Sequence, residues 1–487
     1  MSEQLDRRSV IRLAGAGVIA AVGAQSASVA LGGGLVEAAA AAAPPALLLP
    51  GDLGFDAERS GFNPIVEHHP LAISVPTGPA DVATAVGYAR DRNWPIAVQT
   101  TGHGISVAAD GALLVNTRLM NGVRIDPQTR TARIGAGVRW GAVVSAAAPY
   151  GLAPLSGSST DVGVVGYVLG GGLGLLGRTF GYAADRVRSL QIVTADGRIR
   201  TASPTRDPEL FWGARGGKSN FGVVTGIEIE LMPVARVYGG ALNFAGTQAA
   251  DVLEAYRQWS AGLSERTTTS LQLLRLPDDP VLPPPLRGQF IVSVVVGHLG
   301  DSAEGDALLR PLRALTPFLD TVQDLPFADF AAMFTEGTSS PEPLHERTGL
   351  IRTLDAQATD LLVALAGPDA TLPAGVVSLR QLGGALGRPA AVRNAVGLRD
   401  ADFALYLAHS APAQESAAID AVQQGLMDGL RPALTGGAFP NFLGHSDTAP
   451  ERVRAAYRPA DYRRLVALKR LCDPGNLFRI NHNIPPR

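Results

Sequence analysis

Residues 95–104 read PIAVQTTGHG and residues 155–174 read LSGSSTDVGVVGYVLGGGLG; these two stretches decide the fold. The first is a β-type run that ends in a turn at Gly102, His103 and Gly104. Small residues at a strand end leave backbone N–H groups free to converge on an anion such as a phosphate. His103 is the strongly nucleophilic side chain of that loop; the alternative is a tight turn that carries an incidental histidine. The second stretch is so dense in Gly and Ser that its backbone must come close to something flat or anionic.

The second stretch also hides a false lead. Gly172-Leu173-Gly174-Leu175-Leu176-Gly177 spells G-x-G-x-x-G. A dinucleotide fingerprint of that form follows a strand, opens a helix and has an acid about twenty residues on. Asp196 lies at that distance but sits in a hairpin turn. The segment LLGRTFG is too short and too broken by glycine for the helix. A Rossmann NAD-dependent dehydrogenase is therefore the weaker reading.

Outward from the two stretches the pattern is mixed. Residues 71–76 are β-type, Thr77-Gly78-Pro79 is a turn, and Asp81 is placed to cap a helix carrying Val82, Ala85, Val86 and Ala89. With residues 95–101 this gives β–α–β. Residues 113–116 and 130–135 read as strands and 140–149 as helix. Residues 190–194 and 199–202 form a hairpin about Asp196-Gly197. Asp207 is placed to cap a short helix, PELFWGAR, and residues 221–231 alternate as a half-buried strand. From 236 to 430, Pro-rich links such as 276–285 separate strand-like runs (289–296, 376–382, 403–408) from helical ones (249–260, 415–430). That texture predicts an α+β domain with an antiparallel sheet. The tail holds a charged helix, 462–472, a DPGN stop at 473–476 and the end INHNIPPR.

Composition narrows the classes. The 487 residues are 46% hydrophobic and 18% charged, enough for a large core in two or three domains. A net charge of −2 excludes the basic field that nucleic acid or an anionic membrane would need. One cysteine, Cys472, excludes an internal disulfide and a Cys-based zinc site; it reads as a small buried apolar residue. Only Lys218 and Lys469 are lysines, a skew that reads as composition bias. Arg7-Arg8, a weakly apolar stretch 13–35 and an alanine run 38–43 read as a twin-arginine export signal over residues 1–43. The export machinery is thus an expected partner, and no membrane span is expected in the mature chain. His68 and His69 have no third ligand nearby, so no metal site is expected.

The ordered set TGHG, SSTDVGVVGYVLGGGLG, IVTADGRI, DPELFWGARGGKSNFGVVT and LKRLCDPGNLFRINHNIPP resembles the berberine-bridge-enzyme-like flavoprotein oxidases. These have the vanillyl-alcohol-oxidase/p-cresol-methylhydroxylase (PCMH) type of FAD-binding fold. The resemblance covers residues 55–487. It implies an α+β architecture: a two-subdomain FAD-binding module over 44–235, a substrate domain with an antiparallel sheet over 236–450, and a segment, 451–487, that returns to the first module. It implies an FAD-linked oxidoreductase that moves hydride from a substrate C–H next to oxygen or nitrogen to flavin N5, with O2 reduced to H2O2.

Residue by residue, the resemblance assigns His103 to a covalent bond with the flavin 8α-methyl carbon. Thr100, Thr101, Gly102, Gly104 and Ile105 then flank the pyrophosphate. Ser158, Ser159, Val162, Gly163 and Gly166 run along the cofactor, with Val162 at the position tied to oxygen access. Asn220 and Val224 match the adenine side, and Tyr457, Asn481 and Asn483 match tail positions near the flavin. Many relatives carry a cysteine near Ser159 that makes a second link; serine cannot, so a single covalent bond is expected. Relatives also carry Tyr-x-Asn where this chain reads Phe439-Pro440-Asn441. Phenylalanine holds no proton, so either the reaction needs no base or the base comes from elsewhere, with Tyr406, His409, His445 and Tyr457 considered and Tyr406 and Tyr457 the candidates carried forward. Tyr406 and His409 cannot both face one site from an ideal strand. A flavin-bearing protein whose catalytic site has decayed is the remaining rival, with Phe439 as its support.

Overall fold

The computed structural model describes residues 46–487 except 105, 281, 283–285 and 335–340. The export-signal reading of residues 1–43 and the assignment of Ile105 lie outside the described residues.

Three sheets organise the described residues, and all are built as the α+β reading expects. The first holds β1 (Leu47–Leu48), β2 (Ala72–Ser74), β3 (Ile96–Gln99) and β4 (Leu113–Asn116) in the order β1-β2-β4-β3. β2, β4 and β3 run parallel, and β1 is antiparallel at the edge. The crossover helix Pro79–Asp91 buries Val82, Ala85, Val86 and Ala89, whose spacing puts them on one face. Its N-cap is Gly78, not Asp81. Asp81 sits in the first turn and accepts from Thr77 N at 2.9 Å and Thr77 Oγ1 at 2.7 Å. A carboxylate there is favoured by the helix dipole, and Pro79 removes an N–H that would lack a partner.

The second sheet is antiparallel, in the order β5-β6-β9-β7-β8: β5 (Val123–Asp126), β6 (Thr131–Gly135), β7 (Val187–Val193), β8 (Ile199–Ala202) and β9 (Val223–Glu230). One apolar core runs through both sheets and takes in Leu465, Leu468, Phe478 and Ile484 from the tail. The tail is stitched down by polar contacts too. Ile96 N donates to Leu477 O at 2.9 Å. The fully buried Lys469 donates to Asn220 O at 2.8 Å, Phe478 O at 2.9 Å and Asp473 Oδ2 at 2.7 Å. A buried charge is tolerable when it is paired and hydrogen-bonded in this way. Cys472 is half-buried against the same core, and burial lifts its thiol to about 11.

The third sheet comprises β10 (Arg236–Ala245), β11 (Thr267–Arg275), β12 (Phe290–His298), β13 (Leu319–Asp320), β14 (Gln323–Pro326), β15 (Leu344–Ile351), β16 (Gly375–Gln381) and β17 (Phe403–Ser410). Its order is β13-β10-β12-β11-β16-β17-β15, with β14 also on β10 and every pairing antiparallel. Helices Ala249–Ala261, Ser302–Arg313, Ala356–Ala366 and Ser416–Gly429 cover one face through residues such as Val252, Leu309, Leu362 and Leu426. Period-two alternation then turns Glu346, Arg380 and Tyr406 to the opposite face. Among the described residues, no helix is long and apolar enough to cross a membrane.

Candidate active site

A cavity of about 860 Å³ lies between the first module and the uncovered face of the third sheet. That is the upper range for a small-molecule or cofactor pocket. One side is made of loops: Thr100–Gly104 after β3, the stretch from Gly157 to Gly166, Lys218 to Val224, and Ile480 with Asn481. The other side is sheet: Leu274 and Arg275 of β11, Glu346 of β15, Val376 and Arg380 of β16, and Tyr406 and Ala408 of β17.

His103 is held on the loop side. Its ring stacks on Phe62 at 4.0 Å with 7° between planes, and Nδ1 shares a hydrogen bond of 2.8 Å with Thr101 Oγ1. Burial, with the charge of Arg139, lowers its pKa to about 4. The imidazole is therefore neutral at pH 7 and keeps a lone pair for bonding to carbon. Gly102 makes the loop possible. Its φ is +73°, and a Cβ there would stand 2.4 Å from Gly61 Cα.

The sheet side carries buried titratable groups. Tyr406 Oη donates to Glu346 Oε1 at 2.6 Å. Burial raises the Glu346 carboxyl to about 7, against the opposing pull of Tyr406 and of the Lys218 charge. Phe442 packs on Tyr406 with ring centres 4.7 Å apart, and the Arg380 guanidinium lies 5.1 Å from the Phe442 ring centre. Lys218 adjoins this wall. Burial lowers its ammonium to about 8. It donates to Pro440 O at 3.2 Å and to His482 Nδ1 at 3.0 Å, while His482 Nε2–H donates to Gly444 O at 2.9 Å. A carbonyl only accepts, so His482 has its hydrogen on Nε2 and its lone pair toward Lys218.

The sequence-predicted residues divide sharply. Thr100, Thr101, Gly102, His103, Gly104, Ser158, Ser159, Val162, Gly163, Gly166, Val224, Asn481 and Tyr406 line this one cavity. Tyr457 does not. It is buried in the first module's core and donates to Gly216 O at 3.1 Å. Asn220 and Asn483 also stand off the cavity lining. Asn220 is spent on the tail, donating to His482 O at 3.1 Å and accepting from Ile484 N at 2.8 Å. His409 faces away from the cavity, with Nδ1 accepting from Gln423 at 3.1 Å, and His445 lies behind the sheet beside His345. His68 lines the cavity but is buried, and its Nδ1 accepts from Ala109 N.

Phe439 needs a correction of another kind. It is buried against Tyr182 and Phe442 and does not line the cavity, so its lost hydroxyl leaves no gap there. Glu346, Lys218 and Arg380 are site residues that sequence reasoning missed. The lysine scarcity was the one available signal, and it was read as composition bias.

The lining fits a large cofactor with polar edges. A Cβ added at Gly104 or Gly166 would meet no protein atom within 4 Å, so side chains are absent where cavity space must stay clear. Tyr167 and Asn481 line the same cavity, and Tyr167 Oη and Asn481 Oδ1 are buried without a hydrogen-bond partner in the protein. Such atoms cost stability unless a bound group satisfies them. The glycine fingerprint does not build a Rossmann-type site, although its Leu173 lines the cavity: it follows the helix Val164–Leu169, not a strand, and opens a helix of only four residues, Gly177–Phe180.

Comparison with known proteins agrees with this geometry. The family described as "FAD binding domain" matches residues 70–203, and that described as "Berberine and berberine like" matches residues 438–485. The chain is 32% identical over 466 residues to (R)-6-hydroxynicotine oxidase of Paenarthrobacter nicotinovorans, covering 90% of this chain and 96% of that one. The crystal structure of 6-hydroxy-D-nicotine oxidase from Arthrobacter nicotinovorans superposes with a TM-score of 0.80 at 27% identity, over 93% of this chain and 100% of the other. Glucooligosaccharide oxidase of Acremonium strictum, a protein with a 6-S-cysteinyl, 8α-N1-histidyl FAD, shares the fold with a TM-score of 0.78 at 20% identity, over 91% and 97% of the two chains.

Proposed function

Because the chain belongs to the berberine-bridge-like, FAD-linked oxidoreductases of the vanillyl-alcohol-oxidase/PCMH fold type, we propose that it is an exported oxidase of a small amine or alcohol. When bound, FAD supplies the two-electron acceptor for a C–H next to nitrogen or oxygen and, through its reaction with O2, the route to H2O2. His103 is assigned to a single covalent bond with the flavin 8α-methyl carbon. Ser159 has no thiol and makes no second link. Gly104 and Gly166 keep the cofactor path clear, and Val162, which lines the cavity, would border the flavin on the side tied to oxygen access. The Arg7-Arg8 segment directs export through the twin-arginine machinery.

The observation that carries the reading is the Tyr406–Glu346 pair, which faces the cavity that His103 enters. Glu346 takes the substrate N–H or O–H proton, directly or by way of the Tyr406 hydroxyl. A base whose pKa lies near the working pH combines a useful ionised fraction with real proton affinity. The Tyr406 hydrogen bond and the Lys218 charge keep part of that carboxyl ionised, and Arg380 orients the polar end of the substrate. Leu274, Val376, Ala408 and Phe442 exclude water around its body. This largely apolar wall suits a compact amine or alcohol better than a sugar, whose many hydroxyls would need partners. The relative that acts on 6-hydroxynicotine points the same way.

Two measurements on the mature chain test the proposal. Acid precipitation leaves yellow, band-fluorescent protein if the flavin is covalent, and His103→Ala abolishes it. Flavin that stays covalent in that variant overturns the assignment. Peroxide release is then screened against cyclic amines, alcohols and sugars; a response to sugars alone overturns the substrate class.

A further inference from the structure

Behind the Glu346 wall, on the reverse face of β15, three metal-ligating side chains converge from separate elements. His345 comes from β15, Asp420 from helix Ser416–Gly429 and His445 from the turn His445–Asp447. One nitrogen of each imidazole and one oxygen of Asp420 lie within 4.8 Å of one another. The two rings meet edge to face with centres 5.2 Å apart.

The hydrogen bonds around the trio leave donor atoms aimed at nothing in the protein. His345 is fully buried, and its Nε2–H donates to Ala411 O at 3.1 Å. A carbonyl cannot donate, so Nδ1 holds the lone pair. That Nδ1 is buried without a partner, and so is Nδ1 of His445. Ser446 Oγ donates to Asp420 Oδ1 at 2.5 Å and, its one proton so used, accepts from His445 Nε2–H at 3.1 Å; this holds the carboxylate 3.8 Å from Nε2 and leaves the His445 lone pair on Nδ1. An imidazole that donates one N–H to a backbone carbonyl and offers its other nitrogen is the usual form of a ligating histidine.

We propose that His345, Asp420 and His445 form a site for a divalent transition ion of the zinc class, separate from the redox cavity. Two imidazoles and one carboxylate suit zinc, cobalt or nickel rather than magnesium or calcium. Ligands around tetrahedral zinc stand about 3.3 Å apart, so the trio closes by up to about 1.5 Å on binding. The side chains of His445 and Asp420 are 15% and 32% exposed, so the site has an open side for entry of the ion and for a water as fourth ligand. The ion clips β15 and the helix to the turn just beyond Asn441 and Phe442, which line the cavity. It is a structural brace on the back of the substrate wall.

The test uses the untagged, flavin-loaded mature chain, stripped with chelator and dialysed against zinc or cobalt ions. About one zinc per chain is expected, with the visible bands of tetrahedral cobalt in its place. Zinc should raise the Tm and chelator should reverse it. His445→Ala and Asp420→Asn should each lose the metal and the cobalt bands while keeping their flavin. If one variant fails to hold flavin, the other and the wild-type cobalt spectrum decide. Wild-type chain that retains no zinc, or zinc retained by a folded variant, overturns the proposal.

Discussion

Tyr406 donates to Glu346 across the diagonal of the β15–β17 ladder, at 2.6 Å, although the register pairs Tyr406 with Thr348 and Glu346 with Ala408. Diagonal neighbours on one face of an antiparallel pair are within reach of long side chains. The contact is therefore a product of register: slipping β15 by one residue would turn Glu346 to the helices and bring His345 to the cavity.

On the proposed function, the pair should set the pH dependence of the reaction. Glu346 acts as a base only when ionised, so kcat/KM should rise with pH through about 7. Tyr406→Phe removes a hydrogen bond that favours the carboxylate, and the rising limb should move to higher pH. Glu346→Gln should lower kcat/KM by roughly 10²–10⁴-fold with flavin content unchanged. A pH profile of each variant checks this, and an unmoved limb in Tyr406→Phe would remove Glu346 from the role.

The same carboxyl should weaken the fold at alkaline pH. Its folded-state pKa is raised, so its contribution is fully present below the ordinary glutamate value of 4.5 and is lost as pH rises through about 7. Glu346→Gln should match the wild type in thermal unfolding at pH 4. At pH 8 it should be more stable, by on the order of 2 kcal/mol after allowance for partial exposure.

Two glycines of the cavity should respond in opposite ways. Gly166→Leu points into cavity space with no protein atom within 4 Å of its Cβ, so it should fold normally and lose most of its flavin. Gly102→Ala forces a side chain onto a backbone at φ +73° and against Gly61. It should lower stability by more than the roughly 1–2 kcal/mol of the left-handed conformation alone. Flavin absorbance and Tm, measured on both, separate the two effects.

Lys469→Met should cost about 3–5 kcal/mol, because it leaves Asp473 buried without its cation. Asp473 also accepts from Leu477 N at 2.7 Å and Phe478 N at 2.9 Å, so the tail that carries Asn481 should loosen. Hydrogen exchange across 473–484 reads this directly. Protection equal to wild type would show that apolar packing alone holds the tail.

The loop half of the site was legible in the sequence because its signals are local. A glycine that needs positive φ, a histidine in the middle of a turn and a run of small residues are properties of adjacent positions. Hence the two glycine-rich loops stood out locally, the family resemblance supplied the roles expected of His103, Gly102 and the stretch from Ser158 to Gly166, and the false fingerprint at Gly172 could be rejected for want of a strand and a full helix. The sheet half was not. Glu346 precedes its partner Tyr406 by sixty residues, and nothing in LHERTGLI marks one polar residue as cavity-facing. Tyr457 and Phe439 failed for the converse reason: a tail or a loop matched by motif still has its side-chain directions set by packing.

The sequence by itself determined the class of fold, the cofactor loops and the histidine poised on them, since periodicity, turn chemistry and small-residue density act over a few residues. Only the tertiary structure decided which acid faces the cavity, which lysine lies beside it and which histidines turn away. Those choices rest on strand register and burial, and both arise from contacts between residues far apart along the chain.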